Sequence, residues 1–361
     1  MRTVLVLGST GSVGTQTLEL IRANPDKFEL VGISGNANAQ LLESQRVEFS
    51  LREDAVAVGP TQAAELAGSI GADVVVNGIT GSAGLGATLA SLRSGSRLAL
   101  ANKESLIVGG TLVTDLAEKD QIQPVDSEHS AIAQCLLSGG KSEVARLILT
   151  ASGGPFRNWS RKELESVTPA QALKHPTWTM GKVITTNSAT LVNKGLEVIE
   201  AHLLFGLPFD QIAVTVHRQS IVHSMVEFHD GSVIAQASEP DMKLAIGYSM
   251  GWPERLAEST TPLDFNKAQS WDFEPLDEEI FTAVKIARQV GKAGLTFPAV
   301  YNAANEEAVE AFHEGKLSFL GITDIIEAVL NMHTAEVLSL EAVLEAETWA
   351  RQAANSLIAK R

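Results

Sequence analysis

Short apolar runs alternate with amphipathic segments along the first third of the chain. The runs are rich in β-branched residues and predict strands at 3–7, 29–34, 55–58, 73–79, 97–101 and 122–125. Apolar positions at helical spacing predict helices at 14–23, 62–69, 84–93 and 104–119. Strands that are buried on both faces and separated by helices are typical of a parallel sheet. We therefore expect an α/β, Rossmann-like doubly wound domain over residues 1–126.

The middle of the chain has a different pattern and predicts an α+β domain over residues 127–251. Strands are expected at 144–150, 183–186, 212–217, 221–228 and 232–237, with a helix at 190–205. The dipeptide Asp230-Gly231 favours a tight turn, so the last two strands are predicted to pair antiparallel. The proline-containing stretch 252–275 lacks clear periodicity and is interpreted as a linker.

The remaining residues, 276–361, predict a small C-terminal helical domain. Helical patterns cover 279–292, 299–314, 322–331 and 339–358. Such a set of amphipathic helices is typical of a helical bundle.

Composition narrows the function. The 361 residues include 28 basic and 43 acidic side chains, a formal net charge of −15. That charge disfavours nucleic acid or an anionic membrane as a partner, and an anionic ligand would need a local cluster of donors. Cys135 is the only cysteine, which rules out an intrachain disulfide and favours a reducing, cytoplasmic location. No apolar run approaches the roughly 20 residues that span a bilayer.

A glycine-rich turn, Gly8 to Gly14, follows the first predicted strand and opens a helix. Glycines at this place allow a pyrophosphate to approach the backbone, and the helix N-terminus favours its charge. A turn without a ligand is the less favoured alternative. The second strand ends near Asn36 and Asn38 without the carboxylate that NAD sites use for the ribose, which favours NADP. No Lys or Arg stands there to hold a 2′-phosphate.

Two groups of polar residues predict a substrate site. Asp126 and Glu128 follow a strand, and in extended chain both carboxylates would point to one side and suit Mg²⁺ or Mn²⁺. The alternative is that Asp126 or Ser127 caps a helix. Glu197 is the candidate third ligand, although it could form only a surface pair with Lys194. Neutral donors and one cation that could hold a phosphate are Ser152, Ser188, Asn193 and Lys194. Ser188 and Asn193 could share one binding site only if a helix starts between them.

The chain resembles the 1-deoxy-D-xylulose 5-phosphate reductoisomerase family. The matching runs, in order, are GSTGSVG (8–14), ANKES (101–105), PVDSEHSAI (124–132), LTASGGPF (149–156), HPTWTMG (175–181), NSATLVNKGLEVIEA (187–201), QSIVHSMV (219–226), EPDM (239–242) and NAANE (302–306). The resemblance implies Asp126, Glu128 and Glu197 as ligands of Mg²⁺ or Mn²⁺, with Co²⁺ as an alternative. It implies Lys103 and His175 as further catalytic residues.

The resemblance also implies the contacts with substrate and cofactor. Substrate contacts are expected from Ser127, Glu128, Ser152, His175, Trp178, Ser188, Asn193, Lys194 and Glu197, with His175 and Trp178 in a mobile loop. NADPH contacts are expected from Thr10, Gly11, Ser12, Val13, Gly35, Ala37, Asn38, Asn102, Glu104, Gly181 and Met242. The implied enzyme is a cytoplasmic homodimer without nucleic-acid or membrane partners. It is an NADP-dependent oxidoreductase that isomerises 1-deoxy-D-xylulose 5-phosphate and reduces it to 2-C-methyl-D-erythritol 4-phosphate for isoprenoid synthesis.

The chain departs from the family pattern at a few positions. No basic residue stands near Asn36 to Asn38, and Arg218, Lys243 and Ala245 replace the usual residues. A metal-free semialdehyde dehydrogenase is a rival function, but its thiol would have to be Cys135, which lies in an apolar helical pattern. A catalytically silent NADP-binding regulator is a second rival. His217 and His223 are predicted as buried structural histidines, and His129 is expected to turn away from the carboxylates.

Overall fold

The computed structural model describes residues 1–178 and 180–361 and divides them into two compact units. The first unit comprises Met1–Leu106, Thr111–Gln134 and Asp241–Leu263. The second comprises Ile107–Gly110, Cys135–Pro240 and Asp264–Arg361. This division differs from the three predicted segments, because residues 241–263 return to the first unit after the chain has crossed the second. Within the described residues, no helix is long and apolar enough to cross a membrane.

The first unit is built on a six-stranded parallel sheet. Its strands are β1 (Arg2–Leu7), β2 (Phe28–Gly35), β3 (Val56–Val58), β4 (Val74–Asn77), β5 (Arg97–Leu100) and β6 (Ile122–Pro124), in the order β3-β2-β1-β4-β5-β6. The central strands are completely buried from Val4 to Leu7 and from Val74 to Val76. This order and burial confirm the predicted doubly wound Rossmann-like fold.

Helices cover this sheet. They are α1 (Ser12–Ala23), α2 (Ala39–Glu48), α3 (Gly59–Ser69), α4 (Leu85–Arg93), α5 (Lys103–Gly109), α6 (Thr111–Thr114) and α7 (Ser127–Cys135). The single helix predicted at 104–119 is wrong, because Gly110 has a φ of 46° and separates α5 from α6. Helix α2 was not predicted, since its sequence carries only a weak apolar stripe.

The second unit contains a mixed five-stranded sheet in the order β10-β9-β7-β8-β11. The strands are β7 (Val144–Ala151), β8 (Ile212–Val216), β9 (Val222–Phe228), β10 (Val233–Ala237) and β11 (Glu274–Pro275). Strands β9 and β10 pair antiparallel, as predicted, whereas β7 and β8 are parallel. The supposed linker therefore ends in a sheet strand, since Glu274 of β11 pairs with Val216 of β8.

The remaining helices are α8 (Arg161–Leu164), α9 (Pro169–Ala172), α10 (Lys182–Thr190), α11 (Val192–Phe205), α12 (Met242–Gly251), α13 (Ala283–Ala293), α14 (Phe297–His313), α15 (Phe319–Met332) and α16 (Leu340–Ile358). The last four match the predicted C-terminal helices. The predicted strand at 183–186 is wrong, because these residues lie inside α10. Its β-branched run misled the prediction, but the threonine side chains bond backbone carbonyls one turn earlier, as Thr186 Oγ1 does to Lys182 O.

Candidate active site

The glycine-rich turn of the first unit approaches its own backbone too closely for any larger residue. A Cβ on Gly14 would lie 2.3 Å from Gly8 O. Ser9 N donates to Ser34 O at 2.8 Å, which ties the turn to the end of β2. Among the described residues no side chain caps α1, whose first N–H groups follow Gly11. The turn is therefore built as a phosphate-binding helix N-terminus would be.

Ten of the eleven residues predicted to contact NADPH belong to the first unit, and Gly181 belongs to the second, where it precedes α10. Gly35 lies against Thr10, since a Cβ there would be 3.3 Å from Thr10 Cγ2. Asn38 caps α2 by accepting a hydrogen bond from Leu41 N at 3.0 Å. Asn38 thus has a structural role as the cap of α2, and this role does not depend on a ligand.

Asn102 and Glu104 form a connected pair at the carboxyl end of β5. Asn102 Nδ2 donates to Gly81 O at 2.7 Å and to Glu104 Oε2 at 3.1 Å. Asn102 is buried, so these bonds hold its amide in a defined orientation.

A buried ion pair joins the carboxyl ends of β5 and β6. Lys103 Nζ donates to Asp126 Oδ2, and the two side chains are only 7% and 9% exposed. Burial raises the pKa of Asp126, but the Lys103 charge and the contact with His129 outweigh it and hold that pKa well below its usual range. Asp126 is therefore ionised throughout the physiological range.

The predicted extended geometry of Asp126 and Glu128 is wrong. Strand β6 ends at Pro124 and α7 begins at Ser127, so Glu128 lies in the first turn of a helix. Ser127 Oγ donates to Glu128 Oε2 at 2.5 Å. The expectation for His129 is also wrong, because its Nδ1 lies 3.6 Å from Asp126 Oδ1 and the ring is completely buried. Helical spacing of three residues brings these two groups together.

In the second unit, Ser152 lies in a loop after β7 that packs on α10. Ser152 Oγ accepts a hydrogen bond from Gly154 N at 3.2 Å. Gly154 has a φ of 64°, and a Cβ on it would lie 2.8 Å from Ser188 O. Only glycine fits this position, and the loop thereby stays in contact with the backbone at Ser188.

The chain breaks its helix between Ser188 and Asn193, which is the condition under which these two residues could share one phosphate site. Leu191 has a φ of 62°, a left-handed conformation that is uncommon for a residue of its size. It ends α10 and starts α11, so the two helices need not share one axis. A strained residue of this kind often marks a functional site.

A second buried ion pair lies within α11. Lys194 Nζ donates to Glu197 Oε2, and the side chains are 4% and 1% exposed. Asn193 Nδ2 donates to Glu197 Oε1 at 2.5 Å. The surface pair considered from the sequence is thus excluded, because both charges are buried.

His175 connects the predicted mobile loop to Ser152. Its Nδ1 accepts hydrogen bonds from Thr177 N at 3.1 Å and Trp178 N at 2.9 Å, and its Nε2 lies 3.1 Å from Ser152 Oγ. An accepting Nδ1 leaves the proton of a neutral imidazole on Nε2, which then donates to Ser152. The Trp178 ring lies 6.2 Å from the His223 ring. Residue 179 of this loop lies outside the described residues.

The other singled-out residues have structural environments. His217 is completely buried, with Nδ1 2.9 Å from Asp272 O and Nε2 accepting from Ile221 N and Val222 N. His223 is buried too. Burial raises the pKa of Cys135 to about 11, so it is no thiolate nucleophile at neutral pH.

Two of the departures from the family pattern, Arg218 and Lys243, form ion pairs within their own units. Arg218 pairs with Glu274, and Lys243 Nζ lies 2.7 Å from Glu19 Oε2.

Sequence reasoning missed Glu200, which is completely buried on α11. Its spacing of three residues from Glu197 was the available signal.

Comparison with known proteins extends over the whole chain. Family profiles described as 1-deoxy-D-xylulose 5-phosphate reductoisomerase match residues 4–110, with its C-terminal domain profiles matching 122–205 and 237–353. The reductoisomerase of Leifsonia xyli subsp. xyli is 58% identical over 361 residues, which is 100% of this chain and 99% of the relative. That of Mycobacterium marinum is 55% identical and covers 99% of this chain and 93% of its own length.

Solved structures agree. The Zymomonas mobilis enzyme in complex with NADPH has a TM-score of 0.91 at 42% identity, over 99% of both chains. A reductoisomerase in complex with NADPH, fosmidomycin and magnesium has a TM-score of 0.92 at 36% identity, over 99% of this chain and 98% of its own. With its glycine-rich turn, its two buried lysine–carboxylate pairs and these matches, the chain belongs to the 1-deoxy-D-xylulose 5-phosphate reductoisomerase family.

Proposed function

We propose that this chain isomerises 1-deoxy-D-xylulose 5-phosphate and reduces it with NADPH to 2-C-methyl-D-erythritol 4-phosphate, a step of isoprenoid synthesis. Family membership supports the reaction class. The assignment of residues rests on two buried ion pairs, Lys103–Asp126 and Lys194–Glu197. Removing such charges from water is costly, so they are expected where binding or catalysis requires them.

We propose Asp126, Glu128 and Glu197 as the ligands of Mg²⁺ or Mn²⁺, with Co²⁺ as an alternative. Their chemistry fits, because hard divalent cations prefer carboxylate oxygens. A further sign of fit is that Asp126 and Glu197 each accept a hydrogen bond from a lysine ammonium. Both carboxylates therefore already bind a positively charged group. The magnesium in the similar crystal structure supports the proposal. When bound, the cation would polarise the substrate carbonyl as a Lewis acid.

The phosphate of the substrate is assigned to Ser152, Ser188, Asn193 and Lys194. Ser152 Oγ accepts hydrogen bonds from Gly154 N and from His175 Nε2, so its own proton is free to be donated to a phosphate oxygen. Lys194 supplies the positive charge that the acidic chain otherwise lacks. Once Glu197 has a different cationic partner, the Lys194 ammonium can turn to the phosphate.

A phosphate held in this way would position the carbon skeleton for the rearrangement. In the family chemistry a carbon–carbon bond breaks by retro-aldol cleavage and another forms by aldol addition, which gives a branched aldehyde. Fragments anchored near each other recombine before they escape. Lys103 is proposed to orient Asp126, and Ser127 to contact the substrate beside it. A hydride from NADPH and a proton then convert the aldehyde to the alcohol.

NADPH is assigned to the first unit, with its pyrophosphate at the Gly8 to Gly14 turn. Gly35, Ala37 and Asn38 would line the ribose side, and Asn102, Glu104, Gly181 and Met242 would complete the contacts. His175 and Trp178 are proposed to close over the substrate and exclude water. We further propose that the protein is a cytoplasmic homodimer. Light scattering of the purified protein would test the dimer, and fractionation of the cells would test the location.

The experiment is oxidation of NADPH, followed by absorbance, on addition of 1-deoxy-D-xylulose 5-phosphate with Mg²⁺, with Mn²⁺ and with EDTA. The same runs with NADH test the cofactor preference, because the chain has no basic residue near Asn38. Turnover that needs the metal supports the proposal. A folded, metal-supplied protein without turnover refutes it.

The matched variants are Glu197→Gln and Glu314→Gln. The first removes a proposed metal ligand and should lower kcat/KM by about 10²- to 10³-fold while NADPH still binds. The second alters an exposed carboxylate beside Lys316 and should leave kinetics unchanged. If Glu197→Gln weakened NADPH binding as much as it lowered kcat/KM, the assignment of the metal site and the NADPH site to different residues would be contradicted.

A further inference from the structure

The end of α14 contacts α10, the helix that carries Ser188. His313 Nε2 lies 2.7 Å from Thr186 Oγ1, and Lys182 Nζ lies 2.5 Å from Glu310 Oε2. We infer that His313, with a smaller contribution from Glu310, is a positioning residue that sets the geometry of the substrate-phosphate site through α10. This inference rests on the proposed role of Ser188 in binding the phosphate.

The direction of the Thr186–His313 hydrogen bond follows from the available protons. Thr186 has one hydroxyl proton, and Oγ1 donates it to Lys182 O at 2.9 Å. His313 Nε2 is therefore the donor and Thr186 Oγ1 the acceptor. A side chain with an N–H at the same place can replace this histidine, but an apolar side chain cannot.

Helix α10 lies between α14 and the Ser152 loop. Ser188 follows Thr186 by two residues, about 200° around the helix, so the two residues face opposite sides. On the far side, a Cβ on Gly154 would lie 2.8 Å from Ser188 O and 3.0 Å from Ala189 Cα. A shift of α10 on the α14 side would consequently change its fit against the loop that carries Ser152.

Exposure decides which of the two contacts matters more. The Lys182 and Glu310 side chains are 44% and 53% exposed, so solvent and salt screen their attraction. Thr186 is completely buried and His313 is half-buried. The hydrogen bond from His313 therefore dominates the positioning of α10.

The test compares His313→Leu with His313→Gln and with a matched control. His333 Nε2 makes the same contact with Thr296 Oγ1 at 2.8 Å, at the opposite end of α14. His333→Leu thus removes an equivalent bond away from α10. In the full-length protein we would measure KM and kcat for 1-deoxy-D-xylulose 5-phosphate, the calorimetric Kd of inorganic phosphate, and the Kd of NADPH.

We expect His313→Leu to raise the KM and the phosphate Kd about three- to tenfold, the effect of one hydrogen bond, with kcat and the NADPH Kd unchanged. His313→Gln should stay near wild type, and His333→Leu should not change the KM. Hydrogen exchange at the α10 amides, such as Thr185 N bonded to Gly181 O, should quicken only in His313→Leu.

Ser188→Ala separates the two possible failures. If Ser188→Ala weakens phosphate binding but His313→Leu does not, the positioning inference is overturned and the proposed function stands. An equal rise in KM for His313→Leu and His333→Leu would overturn it too, because the effect would then be general destabilisation. If Ser188→Ala leaves phosphate binding unchanged, the proposed phosphate site is wrong and the inference fails with it.

Discussion

Within the part of the chain that the structure describes, each unit holds one buried lysine–carboxylate pair, but the two pairs form differently. In the first unit, Lys103 and Asp126 are 23 positions apart and meet because β5 and β6 are neighbours, with Leu100 paired to Pro124. In the second unit, Lys194 and Glu197 lie three residues apart on α11. One pair thus depends on sheet topology, whereas the other needs only a helical turn.

The neighbours of the two carboxylates differ as well. The His129 ring beside Asp126 is more distant, with Nδ1 3.6 Å from Asp126 Oδ1. Glu197 also accepts a hydrogen bond from Asn193 Nδ2. We conclude that the first pair depends more on its lysine than the second does, and the following variants test this difference.

Removal of each lysine should have the largest effect. Lys103→Met leaves the Asp126 carboxylate buried without its cation and should lower the free energy of unfolding by about 3–5 kcal/mol. Lys194→Met should cost less, about 1–3 kcal/mol, because the Asn193 amide remains. Urea denaturation at pH 7 in EDTA measures both, and hydrogen exchange assigns each loss to its unit.

Lys316→Met is the control, since Lys316 and its partner Glu314 are 64% and 47% exposed. It should change the stability by less than about 0.5 kcal/mol. Equal losses for Lys103→Met and Lys194→Met would show that local and long-range pairs do not differ in the way we describe.

Two glycines test whether each unit carries its own binding function. Gly14→Ala places a Cβ 2.3 Å from Gly8 O and should weaken NADPH binding at least tenfold, with a loss of stability of about 1–3 kcal/mol. Gly154→Ala, at a φ of 64° and against Ser188 O, should cost a similar amount of stability but raise only the substrate KM. Fluorescence titration of NADPH and steady-state kinetics distinguish them.

Gly68→Ala in α3 is the matched control, because its Cβ would meet only Ala90 Cβ at 3.9 Å. It should increase stability by about 0.4–1 kcal/mol. A loss of NADPH binding in Gly154→Ala would contradict the assignment of separate functions to the units.

The smallest expected effect is on the pH dependence of stability. As the pH decreases, the second unit should begin to lose stability at a higher pH than the first. Burial lowers the pKa of His313 and of His333 below 6.5, and for His313 the charge of Lys182 lowers it further. The unfolded chain therefore binds more protons than the folded one just below pH 6.5, so stability falls as the pH decreases through this range. In the first unit, hydrogen bonds from Thr3 lower the pKa of Asp73. The contribution of Asp73 to stability is therefore lost only below pH 3.8.

Thermal unfolding of the wild type and of a His313→Gln, His333→Gln variant between pH 7.5 and 5 checks this expectation. The variant should lose part of the slope in that range. An unchanged slope would mean that other groups determine the acid sensitivity of the second unit.

The fold of the first unit could be predicted because its information is local. Continuous apolar runs such as Val4 to Leu7 mark strands buried on both faces, and the glycines of the turn mark the helix start. The second unit was predicted less well. The β-branched run at 183–186 indicated a strand, yet packing against α14 and the Ser152 loop makes it a helix, and tertiary contacts override such a propensity.

The sequence by itself determined the residue types of the proposed site, the strands of the first unit and the family. Carboxylates, serines and one lysine at these spacings carry their chemistry wherever the chain places them. Only the tertiary structure decided that Lys103 meets Asp126, that His129 turns toward that carboxylate, and that Leu191 breaks the helix between Ser188 and Asn193. The physical reason is burial. Buried charge pairs and strained backbone are maintained only where the surrounding side chains leave no alternative arrangement.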